Sequence, residues 1–305
     1  MSVEVKNLTK FYGAQKAVDA LSFSVERGDI LGFLGPNGAG KTTTMKMLTS
    51  YILPSSGQAL ISGFDVVNDS LETRKRIGYL PENNPLYKEM YIREYLEHVG
   101  KIYRVKNLPR RIDEMIEITG LGPERKKKIN EISKGFKQRV GLAQAMIHDP
   151  EVLIMDEPTS GLDPNQLIEI RQVIRNIGKE KAVILSSHIM QEVEALCNRV
   201  IIINQGKLVA DDHISAFGAL IKGEQIITVQ FRNLSMDDVQ KFEKIPFVNK
   251  IFTREEHIIE LHADGKQDVR DYIFDTAVKN NLRIIAMQTN TASMEEIFHQ
   301  LTVIA

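Results

Sequence analysis

Apolar residues near the N-terminus fall into short runs that predict β-strands. Residues 2–8 and 18–25 have strand character, and MSVEVKNLTKFYG alternates between apolar and polar positions as a half-exposed strand does. DILGFLG at 29–35 is a compact apolar run that ends in glycine. The following KTTTMKMLTSYIL predicts a helix that begins at Lys41. The chain therefore begins with strands that lead through a glycine-rich turn into a helix.

The middle of the chain combines helices with strands that are apolar along their whole length. After a Pro/Ser/Gly turn at 54–57 and a mixed stretch that begins ALISGFDV, residues 90–119 predict largely helical structure. ISKGFKQRV at 132–140 is typical of the start of a helix with Ser133 at the capping position, and residues 139–148 predict a helix that an Asp-Pro pair ends. EVLIMDEP and KAVILSSH are uninterrupted apolar runs, which suit strands buried on both faces of a parallel sheet. RVIIINQGKLVADD predicts a hairpin that turns at 204–207.

Beyond residue 212 the pattern changes to that of a small α+β domain. HISAFGALIKGEQ predicts a helix, which we interpret as a linker at 213–224. The segments that follow alternate as β, α, β, β, α, β, α, and they are IITVQF, MDDVQKFEKI, VNKIFT, HIIELHA, DVRDYIFDTAVKN, RIIAMQT and SMEEIFHQL. This order predicts a ferredoxin-like accessory domain over 225–305. We assign it a regulatory or docking role, with structural support as the alternative.

Composition and charge narrow the classes of protein that fit this pattern. The chain has 305 residues, enough for one large domain or two ordinary ones, and a hydrophobic content of 43% supports a globular core. The net charge is -1, so no overall positive field attracts nucleic acid or anionic lipid. A single cysteine, Cys197, excludes an internal disulfide, and we expect it to be buried as a small apolar residue. The N-terminus lacks signal-peptide character and no apolar run approaches the ~20 residues that span a bilayer, so we expect a cytoplasmic location.

The loop GPNGAGKT fits the phosphate-binding pattern G-x-x-x-x-G-K-[ST], and it lies between a predicted strand and a predicted helix. Glycines let successive backbone N–H groups turn toward phosphate oxygens, and the helix N-terminus adds partial positive charge. We expect Lys41 to reach the β- and γ-phosphates and Thr42 to place its hydroxyl on magnesium. The nucleotide-binding residues predicted here are Gly35, Pro36, Asn37, Gly38, Ala39, Gly40, Lys41, Thr42 and Thr43.

Acidic, histidine and tyrosine side chains complete the candidate chemistry. Asp156 and Glu157 follow the apolar run VLIM, where a buried strand ends beside the loop. Asp156 suits a magnesium site because hard cations prefer carboxylate oxygen, and Glu157 is positioned to accept a proton from the water that attacks the γ-phosphate. His188 follows the second buried strand and can bridge that phosphate and the carboxylate. Tyr12, in a loop between strands, can stack on adenine. The plainer alternatives are a solvated turn for the two acids, a helix-capping or surface position for His188, and a half-buried turn position for Tyr12.

Several short motifs occur in one order between residue 2 and about residue 212. They are FYG, GPNGAGKTT, YLPE ending in Glu82, ISKGFKQR, LIMDEP, SGLD ending in Asp163, and SSH. In this order they resemble the adenine-stacking loop, Walker A loop, glutamine loop, signature, Walker B strand, dimer-contacting loop and histidine switch of the nucleotide-binding subunit of an ATP-binding cassette (ABC) transporter. The resemblance implies an α/β fold of the P-loop NTPase class over residues 1–212. Its parts would be a mixed sheet with flanking helices, an N-terminal antiparallel β subdomain and a helical subdomain at about 83–150, followed by the small α+β domain.

The resemblance also implies an ATPase that works as a pair. In this family two cassettes pack head to tail, and the signature of one closes over the ATP and magnesium held by the other. Ser133 and the Gly135 amide in ISKGFKQRV are therefore expected to contact the γ-phosphate of ATP on a second subunit. Asp163 would lie in the dimer contact and Glu82 beside the magnesium. A homodimer, or one copy and a relative, would drive a separate integral membrane permease from the inner face of the cell membrane.

Three positions depart from the usual family pattern. The signature has Lys134 where a second glycine is usual and Phe136 where a glutamine is usual. The lysine either adds positive charge near the phosphate or points to solvent, which we favour. Glu82 stands where the family has glutamine; it can still ligate magnesium or water but adds negative charge. These changes and the C-terminal SMEEIFHQLT resemble the exporter branch that handles drugs, lipids and polysaccharides, and YLPENNPLYKEMYIREYL is similar to ATPases associated with gliding motility.

The segment after Glu82 is a candidate docking surface for the permease, and two other classes of protein are alternatives to the transporter subunit. Four tyrosines in this part of the chain suit a short cytoplasmic helix of a permease, with core packing as the alternative; they are Tyr87, Tyr91, Tyr95 and Tyr103. A soluble cassette acting on ribosomes or nucleic acid would usually join two cassettes or insert a long coiled coil, and neither occurs here. The basic run Arg125–Lys128 is more typical of a solvated face, so no nucleic-acid partner is expected. A P-loop protein without turnover conflicts with the presence of Glu157 and His188.

Overall fold

The chain forms two compact units in the computed structural model, Met1–His213 and Ile214–Ala305. The residues that the structure describes are 1–216, 224–255, 257–264 and 267–291. The division lies one residue beyond the boundary expected at residue 212. Most of the expected linker helix at 213–224 lies outside the described residues, and His213 itself ends a strand.

The first unit contains both strands and helices. Its strands are β1 (Val3–Tyr12), β2 (Gln15–Val25), β3 (Ile30–Leu34), β4 (Ser56–Ile61), β5 (Phe64–Asp65), β6 (Ile77–Leu80), β7 (Val152–Asp156), β8 (Ala182–Ser187), β9 (Arg199–Asn204) and β10 (Lys207–His213). Its helices are α1 (Lys41–Leu48), α2 (Ser70–Arg76), α3 (Ile92–Ile102), α4 (Leu108–Ile118), α5 (Lys134–Met146), α6 (Pro164–Gly178) and α7 (Met190–Leu196). Within the described ranges of the whole chain, no helix has the length and apolar character that crossing a membrane requires.

Two sheets organise this unit. An antiparallel sheet has the order β2-β1-β4-β5, and a larger sheet has the order β10-β9-β3-β8-β7-β6, parallel except for the β9-β10 pair. Strands β3, β7 and β8 are buried along their whole length, as their uninterrupted apolar runs predict. Because the carboxyl ends of parallel strands meet at one edge, the loops after these three strands lie together. The predicted α/β fold is therefore confirmed.

The first hairpin differs from its prediction. Strands β1 and β2 are longer than expected and join through a two-residue turn, where Gly13 has a φ of 57°. Tyr12 is the last residue of β1 and pairs with Gln15 across this turn. The prediction that Tyr12 lies in a loop was wrong, because strand pairing continues up to the turn.

Helix bounds in the middle of the chain also differ. The region predicted as largely helical at 90–119 consists of α3 and α4, and Asn107 before α4 has a φ of 50°, which a continuous helix does not allow. Helix α5 begins at Lys134, as expected from ISKGFKQRV, and Ser133 caps it by accepting a hydrogen bond from the N–H of Phe136. The mixed stretch after residue 57 contains β4, β5 and β6, which were not resolved as separate strands from the sequence.

The second unit is a two-layer α+β structure. Its elements are β11 (Glu224–Phe231), α8 (Met236–Phe242), β12 (Val248–Glu255), β13 (Ile258–Asp264), α9 (Arg270–Lys279) and β14 (Ile284–Thr291). The sheet is antiparallel with the order β12-β13-β11-β14, and helix residues such as Phe242 and Ile273 pack on it. This βαββαβ order agrees with the predicted one. The last predicted helix, SMEEIFHQL, lies outside the described residues.

Candidate functional site

The predicted phosphate-binding loop connects β3 to α1, and two of its glycines have a left-handed backbone. Gly38 has a φ of 82° and Gly40 a φ of 107°. A Cβ atom at Gly40 would also lie 2.5 Å from the carbonyl oxygen of Ala17. A side chain at either position would therefore strain the loop, and at Gly40 it would collide with the neighbouring hairpin. Helix α1 begins directly afterwards, so the N–H groups of its first turn are available to an anion in the loop.

Lys41, the first residue of α1, folds its ammonium back into the loop. Nζ donates hydrogen bonds to the carbonyl oxygens of Gly35 at 2.6 Å and Pro36 at 3.2 Å. The side chain is almost fully buried, and this burial lowers the pKa of Lys41, while nearby carboxylates, Glu157 first, act in the opposite direction. Gly35 and Pro36 thus position the lysine through their carbonyl groups.

Asp156, the last residue of β7, joins the phosphate loop to β8. Its Oδ1 accepts hydrogen bonds from Thr42 Oγ1 at 3.2 Å and from Ser186 Oγ at 2.5 Å. Within the described residues, no group of three or more His, Cys, Asp and Glu side chains could hold a metal. A magnesium ion does not need such a group, because it takes one or two carboxylates and completes its coordination with phosphates and water. The oxygen atoms of Thr42 and Asp156 fit that requirement.

Glu157 follows β7 directly and pairs with His188, which follows β8. Its Oε2 lies 3.0 Å from Nδ1 of His188, and its backbone N–H donates to Ser186 Oγ at 3.0 Å. Glu157 has a φ of 49°, which costs energy for a residue with a side chain and is found where a site fixes its geometry. Burial raises the pKa of Glu157, while His188 and then Lys41 act to lower it. A raised pKa makes this carboxylate a better general base near neutral pH.

These residues surround a cleft of about 380 Å³ beside the first hairpin. It is lined by Tyr12, Gln15, Ala17, Asn37, Gly38, Ala39, Gly40, Lys41, Thr42, Thr43, Glu82, Glu157 and His188. The ring of Tyr12 is half-exposed at the end of β1, where an adenine can stack on it. The structure thus brings the loop, the acidic pair, the histidine, the tyrosine and Glu82 to one place.

Three predicted site residues, Ser133, Gly135 and Asp163, do not line the cleft. Ser133 caps α5, Asp163 caps α6 by accepting the N–H of Gln166 at 2.9 Å, and neither lines the cleft. Gly135 packs directly on the side chain of Gln166, so that a Cβ atom at this glycine would collide with it. The N-termini of α5 and α6 therefore lie side by side and form a second surface. None of its three predicted residues lines the cleft, although Lys134 next to them borders a pocket that Glu82 also lines.

Lys134 lies on this second surface. Its side chain is exposed, and Nζ lies against Gly161, where a Cβ atom would collide with it. Gly161 has a φ of 70°, a backbone conformation that favours glycine. The lysine is solvent-accessible, as we favoured, but it lies over the loop that precedes α6.

The four tyrosines of the helical region do not form one exposed set. Tyr95 is in the core and donates from its hydroxyl to Gln144 Oε1 at 2.6 Å; burial raises its pKa to about 12. Its prediction as a docking residue was wrong, because the apolar face of α3 that contains it packs inward. Tyr87, Tyr91 and Tyr103 are exposed, and the ring of Tyr103 also stacks on a neighbouring histidine.

The basic run Arg125–Lys128 has partners within the chain. Lys127 forms an ion pair with Glu124 at 2.7 Å, and Lys128 Nζ lies 5.9 Å from the ring centroid of Tyr91. Two of the four cations are thus engaged locally.

Sequence reasoning missed the hydroxyl groups that support the acidic residues and the hairpin residues that line the cleft. Ser186 and Ser187 are fully buried in β8, and Ser186 contacts both Asp156 and Glu157. A signal existed, because polar side chains in a strand buried on both faces need partners. For Gln15 and Ala17 we find no comparable signal, since their place in the cleft depends on how the hairpin packs on the loop.

Comparisons with known proteins agree with this geometry. The family profile described as ABC transporter matches residues 18–160. The chain is 37% identical over 309 residues to the bacitracin transport ATP-binding protein BcrA of Bacillus licheniformis, covering 98% of this chain and 96% of that protein. It is 30% identical over 304 residues to the linearmycin resistance ATP-binding protein LnrL of Bacillus subtilis, covering 98% of each. A solved structure described as the ATP binding subunit of an ABC transporter has a TM-score of 0.66 and 28% identity, over 72% of this chain and 93% of that one.

Proposed function

The chain belongs to the ABC transporter family as an ATP-binding, ATP-hydrolysing subunit, and we propose that two copies close over ATP, each completing the other's site. One observation carries this proposal. The cleft contains a phosphate loop, a base and a histidine, while Ser133 and Gly135 lie at a helix N-terminus outside it. A helix N-terminus favours anions, and a second copy facing head to tail would supply the anion from its own ATP.

In the proposed mechanism the phosphate loop binds and neutralises the nucleotide. Lys41 exchanges its carbonyl partners for the β- and γ-phosphates, and the N–H groups of the loop and of α1 surround the same oxygens. Thr42, Asp156 and Glu82 would hold magnesium, which neutralises charge on the phosphates when it is bound. Tyr12 stacks on adenine at the open end of the cleft.

Glu157 acts as the general base in this proposal. Its carboxylate accepts a proton from the attacking water, and its raised pKa favours that transfer. His188 orients the carboxylate through Nδ1, which leaves Nε2 for the γ-phosphate. From a second copy, Ser133 and the Gly135 amide approach the same phosphate, while Asp163 lies next to them at the contact.

The membrane partner is proposed to be a separate permease, which would hold the chain at the inner face of the cell membrane. Tyr87 and Tyr91 are exposed and adjacent to the segment that follows Glu82, so movement of Glu82 on ATP binding can reach a bound permease helix. Replacing both tyrosines by alanine should uncouple ATP hydrolysis from a co-purified permease and leave nucleotide binding intact. Unchanged coupling would exclude this docking surface.

We propose export as the direction of transport. BcrA and LnrL are named for bacitracin transport and linearmycin resistance, and the motif departures at Glu82 and Lys134 resemble the exporter branch. The resemblance to gliding-motility ATPases stays a prediction. Purified permease and ATPase in liposomes, with antibiotic efflux as the readout, would test export directly.

The dimer is tested by the solution mass of Glu157→Gln with and without ATP. Removing the base should trap the ATP-bound pair, so light scattering should report a shift from monomer to dimer. Ser133→Arg in the same background should abolish the shift, because the larger cation would occupy the space of the phosphate. Asn68→Arg, an exposed charge-matched control, should not change it. A monomer that binds ATP but never dimerises would contradict the proposal for the isolated chain.

A further inference from the structure

A carboxylate that sequence reasoning missed is buried behind the catalytic pair. Glu192 on α7 is only 5% exposed, and its Oε2 accepts two hydrogen bonds. One comes from Ser187 Oγ at 3.0 Å and the other from Thr159 Oγ1. Ser187 and Thr159 are themselves buried. Burying a carboxylate is unfavourable unless its hydrogen bonds are made, so this arrangement has a cost that both hydroxyls offset.

Each of the two hydroxyls belongs to a backbone segment that carries a reacting side chain. Ser187 directly precedes His188, and its Oγ also accepts the N–H of Ile189 at 3.0 Å. Thr159 follows Glu157 by two residues. It lies in a turn in which the carbonyl of Glu157 accepts the N–H of Ser160 at 3.2 Å. The two segments come from different strands, β7 and β8. Glu192 therefore links them from behind.

The helix that carries Glu192 is itself fixed on the central sheet. Val193 of α7 and Cys197, which follows the helix, lie over Gly32 of β3; a Cβ atom at Gly32 would be 2.7 Å from Val193 Cγ1 and 2.9 Å from Cys197 Sγ. Strand β3 leads into the phosphate loop. The packing of α7 on β3 thus fixes the position of the Glu192 carboxylate relative to the phosphate loop.

We propose that Glu192 is a positioning residue, which sets the contact between Glu157 and His188 by holding the segments of both. The inference rests on the proposed roles of Glu157 and His188. The Glu157–His188 contact needs such support, because Glu157 has an unfavourable φ and His188 is half-exposed. Without the carboxylate, the Thr159 hydroxyl loses its acceptor, the Ser187 hydroxyl keeps only the carbonyl of Ile189 at 3.5 Å, and each segment relaxes independently.

The experiment compares steady-state ATP hydrolysis of full-length variants. Glu192→Ala should lower kcat by about 10- to 100-fold, since a small displacement of reacting groups has effects of this size. The KM for ATP and the Kd for a fluorescent ATP analogue should stay within about twofold of wild type, because the phosphate loop is untouched. Glu192→Gln keeps an acceptor oxygen and should lose much less. Glu194→Ala, on the exposed side of the same helix, is the matched control and should behave as wild type.

A second set of variants removes each of the two hydrogen bonds to Glu192 separately. These variants remain informative even if Glu192→Ala does not fold. Thr159→Val and Ser187→Ala should each lower kcat, while Thr159→Ser should restore it by returning the hydroxyl. The double variant should lose less than the product of the two single losses, because both act on one contact.

Two results would overturn the inference. One is wild-type kcat in Glu192→Ala; the other is equal loss of kcat and ATP affinity in all these variants, which marks a general structural role. The underlying function is judged separately, by whether the wild type hydrolyses ATP and Glu157→Gln does not.

Discussion

The contact between Gly32 and α7 gives a prediction whose size can be worked from the structure. In Gly32→Ala the new methyl group would meet Val193 Cγ1 at 2.7 Å and Cys197 Sγ at 2.9 Å, whereas ordinary contacts begin at 3.4 Å. Val193 is fully buried and cannot turn away. Such overpacking costs about 1–3 kcal/mol. Alanine regains about 0.5–1 kcal/mol over glycine in a strand, so we expect a net loss of about 0–2.5 kcal/mol.

The compensating variant distinguishes local crowding from general damage. Val193→Ala alone should cost about 2 kcal/mol, because two buried methyl groups are removed. Combined with Gly32→Ala, the new methyl group partly fills that space, and the double variant should be more stable than additivity predicts by ~0.5–2 kcal/mol. The kcat for ATP should fall in Gly32→Ala and recover in part in the double variant, because α7 returns toward its original place.

The assay is urea unfolding of the full chain. The relevant transition is the one that ATP shifts to higher urea, because the cleft lies within Met1–His213 and ligand binding stabilises only the unit that binds it. Free energies that add within ~0.5 kcal/mol would refute the crowding argument. So would a Gly32→Ala variant that is more stable than wild type.

Three further predictions concern the nucleotide site. Because burial raises the pKa of Glu157, the acid limb of kcat/KM against pH should have its midpoint above the ordinary value of 4.5. Since His188 lowers that pKa, His188→Ala should move the limb of the residual activity further up; a limb that stays or moves down would contradict this sign. Tyr12→Ala should weaken ATP binding by about 1–3 kcal/mol in calorimetry, as loss of a base stack does, while Tyr12→Phe should bind like wild type. Asp163→Ala should cost about 1 kcal/mol of unfolding free energy through loss of the α6 cap at Gln166, with Asp163→Asn losing less, and no change in melting would exclude the cap.

Local rules were enough to predict the phosphate loop and the acidic pair of the cleft. The glycine positions, Lys41 and Thr42 follow from how a strand, a turn and a helix N-terminus surround an anion, and that pattern is contiguous in sequence. Asp156 and Glu157 follow from a buried strand that ends at the same sheet edge. Each inference needs only a short segment and one general rule about parallel sheets.

Inferences that depended on which face of an element packs inward were less secure. The tyrosines after Glu82 share one helical region, but α3 turns Tyr95 into the core and leaves Tyr91 exposed. The hydrophobic pattern alone did not distinguish docking of a permease helix from packing in the core for these tyrosines. Glu192 was missed for a related reason: its partners, Thr159 and Ser187, are 33 and 5 residues away, and only the packing of α7 on β3 brings them together.

The N-terminus of α5, which we expect to contact a phosphate on a second subunit, has a physical basis for binding an anion. The first turn of any helix has N–H groups without an intrahelical acceptor, and the Ser133 side chain accepts only that of Phe136 in α5. Gly135 packs against the side chain of Gln166, and the Lys134 ammonium lies against Gly161. Such an end stabilises a phosphate, but the phosphates of the same chain's cleft lie on another surface. In the proposed head-to-tail pair of identical chains, a twofold arrangement that brings one helix to a neighbour's cleft brings the other as well.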